Sequence, residues 1–137
     1  MTYLLDVNAL LALGIQEHEF HERTARWVKK AAAGGAAFAT CAITELGFLR
    51  VLLQLPYAGA TVAQGQKLLQ LLKSSRQLRF PFLVDDQDAA QLPHWVKWPK
   101  QITDGHLIAL AKAHDAVLAT LDEGIRGAFV IPRQSFH

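Results

Sequence analysis

MTYLLDVNAL (residues 1–10) decides how the rest of the chain is read. Residues 2–6 have the pattern of a buried strand, yet that strand ends on a carboxylate, Asp6. Asn8 follows, and then a second apolar run begins. A buried, unpaired charge is costly, so Asp6 needs either a capping role or companions from elsewhere in the chain. The pattern predicts a strand over 2–6 and a short helix over 8–14.

The same alternation continues outward. A helix is expected over 19–33, with Phe20, Trp27, Val28 and Ala31 along one side, then a short strand over 36–40. A strongly apolar helix covers 42–55 and stops at Pro56, and a helix over 61–77 has Thr61 at its cap. A strand over 79–85 is weakened by Pro81. A short helix near 86–91 and a loop over 92–102 lead into a helix over 103–115, with Thr103 as its N-cap. A buried strand over 116–122 and a last one near 128–131 complete the chain. Strands alternating with helices imply an α/β class: a mostly parallel sheet covered on both faces, in one domain over 1–137.

Composition narrows the function classes. Apolar residues make up 51% of 137, enough for a core. The net charge of +2 tolerates a nucleic-acid partner without demanding one. Cys41 is alone, which excludes an internal disulfide and a cysteine-only metal site. The longest uncharged stretch, 51–66, contains Pro56 and two glycines and is shorter than the ~20 apolar residues of a membrane helix. No basic segment precedes an apolar core at the start. The expectation is a cytoplasmic protein with no membrane partner.

Four acids stand at element ends. Asp6 and Asp122 follow predicted strands, Asp104 lies in the first turn of a helix, and Glu45 lies early in the 42–55 helix. Ligands of open α/β sheets bind beyond the carboxyl ends of the strands, where these acids could meet. Each alone has a plainer explanation: Asp6 as a helix cap, Asp104 as a complement to the helix dipole, Asp122 as a turn residue. Glu45 is harder to explain, because its helix is apolar nearly all round and Arg50 lies on another side. A divalent cation with oxygen ligands would reconcile the four charges and could assist displacement at a phosphate.

LLDVNALLAL, TELGFLRVL and ITDGHLIALAKAHDAVLATLD, in this order and spacing, resemble the PIN domain, and within it the VapC-type ribonuclease toxins of toxin–antitoxin pairs. The resemblance covers nearly the whole chain. It implies a three-layer α/β/α fold and an endoribonuclease dependent on Mg2+ or Mn2+. Asp6, Glu45 and Asp104 then match the core catalytic and metal-binding acids, and Asp122 the more variable fourth. Asn8 and Thr120 match groups that support the acids or position substrate. Val7 stands where many members have Thr or Ser. The resemblance further implies an RNA substrate, a homodimer, and a cognate antitoxin whose segment lies near the acids.

Other candidates remain beside this set. His106 is two residues past Asp104 and could touch a substrate phosphate. His18 and His21 fit a solvated helix start better than a metal site, and His114 fits an apolar stripe. Trp95 and Trp98, interleaved with His94, Lys97 and Lys100, are either an RNA-contacting loop or a lid over the core. Lys29, Lys30, Lys73, Arg76 and Arg79 read as solvated helix faces. VDDQD (84–88) lacks the lysine and the placement of a receiver domain, and DVNAL lacks the second aspartate of a haloacid-dehalogenase phosphatase. The rival to an enzyme is a non-catalytic PIN-like binding module in which the acids serve only structure.

Overall fold

The structure is a computed structural model and describes residues 1–56 and 58–133. Five strands, β1 (Thr2–Leu5), β2 (Ala37–Cys41), β3 (Phe82–Leu83), β4 (Val117–Thr120) and β5 (Phe129–Val130), pair in the order β3-β2-β1-β4-β5. Every pairing is parallel. Five α-helices connect them: α1 (Val7–Gly14), α2 (His21–Ala33), α3 (Ala42–Gln54), α4 (Val62–Lys73) and α5 (Ile102–Ala113).

The period-2 geometry of β1 divides the core into two layers. Leu5 points into one, with Leu10, Trp27, Val28, Phe38, Phe48 and Leu69 from the α1–α4 side. Leu4 points into the other, with Leu107, Leu110 and Leu118 on the α5 side. This is the expected three-layer arrangement. After β1 the chain builds outward to β2 and β3, then returns to β4 on the opposite side of β1. The carboxyl ends of β1 and β4 therefore flank the point where strand order reverses, which is where open sheets hold ligands.

Several boundaries differ from expectation. β3 forms a ladder over only two residues of the predicted 79–85. Arg79 and Pro81 still accept backbone bonds from Phe38 and Thr40, but Pro81 has no N–H to return. The predicted helix over 61–77 stops at Lys73, while Thr61 and Gln64 form the capping box at its start. Phe20 precedes α2 and is exposed rather than packed. Thr103 lies inside the first turn of α5, whose N-cap is Gln101.

Gly47 explains how α3 approaches the start of α1. A Cβ at this position would lie 2.6 Å from a Val7 methyl. Val7 thus serves as a packing residue one position from Asp6.

Candidate active site

Asp6 ends β1 and starts α1, and both facts shape it. Its Oδ1 accepts from the Val7 N–H at 2.8 Å and caps the helix, while Oδ2 accepts from the Thr120 hydroxyl at 2.8 Å. Thr120, fully buried at the end of β4, also accepts from the Asn8 amide at 3.2 Å and from the Asp122 N–H at 3.0 Å. Asn8 Oδ1 accepts from the Leu121 N–H at 3.1 Å. One hydroxyl and one amide thereby tie the ends of β1 and β4 together beneath the acids. Asp122 is exposed above them, its Oδ1 accepting from Gly124 N–H at 2.7 Å.

Asp104 enters from the first turn of α5, and among the described residues no protein group donates to its carboxylate. Burial pushes the Asp104 carboxyl above its usual range, and the negative charges of Asp6 and Asp122 push it further. Burial likewise raises Asp6. The bonds from Thr120 and Val7 oppose that rise, and the charge of Asp122 adds to it. The charge of Asp122 thus reaches both Asp6 and Asp104 near the switch point.

Glu45 has partners of its own. Its Oε2 accepts from Thr40 Oγ1 at 2.6 Å and from Lys73 Nζ at 2.6 Å. The Lys73 ammonium also lies 5.2 Å from the centre of the Phe82 ring. The sequence suggested that Asp6, Glu45 and Asp104 converge around one cation. Among the described residues, no three His, Cys, Asp or Glu side chains lie together closely enough to hold a metal ion. Glu45 is instead neutralised by a protein cation, Lys73. The helix, apolar nearly all round, is buried only in part, because Leu46 and Leu53 of α3 are exposed.

Lys73 is the residue that sequence reading missed, having been assigned to a solvated face. The signal was its position four residues after Leu69, which is buried, so both share the face of α4 turned toward α3. His106 pairs with Asp85 beyond β3. His114 is exposed rather than part of the apolar stripe, its Nε2 bonding the Val84 carbonyl at 2.9 Å. His18 and His21 make separate local contacts, with the Phe20 N–H and the Ala12 carbonyl. Trp95 is half-buried and lies beside Ile108 of α5.

The donor set suits a hard cation, since it offers only carboxylate oxygens and their mutual repulsion is what a divalent ion relieves. The PIN domain family model matches residues 3–128. VapC44, a ribonuclease of Mycobacterium tuberculosis, is 39% identical over 132 residues, covering 91% of this chain and 89% of that protein. VapC29 of the same organism, also a ribonuclease, is 34% identical over 126 residues, with the same coverage of both chains. Among solved structures, M. tuberculosis VapC20, a sarcin–ricin loop cleaving toxin, superposes with a TM-score of 0.61 at 13% identity, covering 98% of this chain and all of that one. VapBC2 from Rickettsia felis, bound to a DNA fragment from its promoter, gives 0.56 at 14% identity, covering 94% of this chain and 96% of that one. These last two likenesses concern the fold alone. The chain belongs to the PIN-domain family, among the VapC ribonucleases.

Proposed function

We propose that this chain is the toxin of a toxin–antitoxin pair, an endoribonuclease that hydrolyses RNA phosphodiester bonds with Mg2+ or Mn2+ in the cytoplasm. The observation that carries this reading is the approach of Asp6 at the end of β1, Asp122 just past β4 and Asp104 at the start of α5, where the charge of Asp122 acts on both Asp6 and Asp104 and that of Asp6 acts on Asp104. Asp6, Asp104 and Asp122 would have to close around the ion, since no three acids of the described residues stand within metal-holding reach of one another, and Glu45 would join by giving up Lys73. When bound, the ion supplies charge neutralisation at the phosphate and a more acidic water. The protein's share is positional: Val7 and Thr120 fix both oxygens of Asp6, and Asn8 fixes the strand ends that carry Asp6 and Asp122. His106, two residues beyond Asp104, is a candidate phosphate contact once it leaves Asp85.

The test is RNA cleavage by the purified full chain with Mg2+ or Mn2+ and with excess EDTA. Hydrolysis by water should leave a 5′-phosphate and a 3′-hydroxyl. A 2′,3′-cyclic phosphate, or activity undiminished in EDTA, would replace metal chemistry with histidine chemistry. No cleavage of any RNA would favour the binding-module reading.

Two protein partners belong to the same proposal. Leu46 and Leu53 of α3 and Leu71 of α4 are 61%, 42% and 61% exposed, apolar surface that a second copy would cover. Light scattering should give about twice 15.1 kDa; a monomer at tens of micromolar would exclude the homodimer. The antitoxin would reach the acids with a cation of its own, and an arginine suits carboxylates because its fork binds them bidentately. Among the described residues no helix is long and apolar enough to cross a membrane.

A further inference from the structure

We propose that a single-stranded stretch of substrate RNA beside the scissile phosphate lies in the groove between α5, the 93–95 loop and Gly127, with Lys112 and Arg126 on its phosphates and Trp95 against a base. The proposal rests on the ribonuclease reading and adds where the substrate is held. The groove encloses about 620 Å³ and is lined by Gln91, His94, Trp95, Ile108, Lys112 and Arg126, among others, with no carboxylate in its lining. Lys112 and Arg126 are exposed, and among the described residues neither forms an ion pair. A few other cations are engaged by the protein itself: Lys73 with Glu45, Arg133 with Glu123, and Arg79 with the Gly35 carbonyl.

The groove is coupled to the acids through both of its walls. One wall is α5, which carries Asp104 in its first turn. The other is the segment that leaves Asp122 after β4 and runs through Arg126 and Gly127. The Trp95 loop is seated by a glycine: a Cβ on Gly105 would stand 2.3 Å from a Val96 methyl, so only hydrogen at this position admits the loop beside Asp104. Gln101 Oε1 then fixes the loop's far end, accepting from Lys97 N–H at 2.8 Å and Trp98 N–H at 3.1 Å. A cluster of acids repels a phosphate backbone, so affinity has to come from cations placed alongside it. An aromatic face in the same groove selects unstacked bases, hence a single strand.

The experiment measures binding of a fluorescein-labelled, mixed-sequence single-stranded RNA of 20 nucleotides to the full chain in EDTA, by anisotropy across a salt series. Lys112→Ala/Arg126→Ala should weaken binding by about tenfold and make the slope of log affinity against log salt shallower by about 1.4, two contacts at ~0.7 each. Trp95→Ala should weaken it roughly 5- to 100-fold, and Trp95→Phe should recover most of the loss. In cleavage assays with metal, the double variant should raise KM while kcat stays within about threefold. If Trp95→Ala proves unfolded by circular dichroism, the double variant decides alone. Unchanged affinity, slope and KM in the double variant would overturn the groove while leaving the ribonuclease intact. Weakened RNA binding in a chain that cleaves nothing would keep the groove and overturn the ribonuclease. Polyglutamate binding as tightly as RNA, with no loss in Trp95→Ala, would make this a surface for acidic proteins and overturn the proposal.

Discussion

Asp104→Asn lowers metal-dependent RNA cleavage by about a thousandfold and, unusually for a substitution in a folded helix, makes the metal-free protein more stable. Both effects have one origin. The Asp104 carboxyl is raised by burial, by Asp6 and by Asp122, and no group of the protein donates to it among the described residues. A raised folded-state pKa means the folded chain holds the proton more tightly than the unfolded one. Stability then falls as pH rises from the ordinary carboxylate value through the folded-state value. Asparagine removes the charge and the penalty together. Differential scanning calorimetry of metal-free protein at pH 7 should show Tm higher by about 2–4 °C in Asp104→Asn, with the difference vanishing near pH 3. Mn2+ should raise the Tm of the unsubstituted chain more than that of the variant. Because Asp6 and Asp104 must be ionised to act, cleavage should decline on acidification from a pH above the usual carboxylate range. A variant that cleaves within tenfold of the parent, or melts lower, would remove Asp104 from the site.

Asp6 and Asp122 were legible from sequence because a strand's end is marked by its apolar run, and parallel sheets present those ends on one edge. Asn8 and Thr120 were legible only through the resemblance; their role as a tie between β1 and β4 depends on strand order, which periodicity does not encode. Glu45 was correctly singled out as a charge needing a partner. Its partner, Lys73, lies 28 residues on in another helix, and no local pattern specifies which faces of α3 and α4 meet. The Trp95 loop was left with two readings for a similar reason. What seats it is the missing side chain of Gly105 against Val96, a tertiary fit invisible until both segments are placed. β3 is short because Pro81 cannot donate, a reason present in the sequence whose extent appears only with the ladder.

Thr120→Val should lower the unfolding free energy by about 2–4 kcal/mol and cleavage by more than tenfold, although the side chains are nearly equal in volume. The hydroxyl serves three partners at once. It donates to Asp6 Oδ2, and it accepts from the Asn8 amide and the Asp122 N–H. Valine leaves a carboxylate that is only 7% exposed without one of its two donors, and an unsatisfied buried charge costs more than an unsatisfied neutral group. The bond from Thr120 also lowers the Asp6 carboxyl against the pull of burial. Its loss should therefore push Asp6 higher still and move the acid limb of the cleavage profile to higher pH. Thr120→Ser keeps the oxygen and should cost less than about 1.5 kcal/mol, with the pH profile in place. The Asp6→Asn and Thr120→Val double-mutant cycle, read by urea unfolding, should show a coupling of about 1–3 kcal/mol, as expected for two groups in one network. A simple packing role predicts the opposite pattern: serine, which loses a methyl from a fully buried site, would then be the more damaging of the two, and neither variant would shift the pH profile.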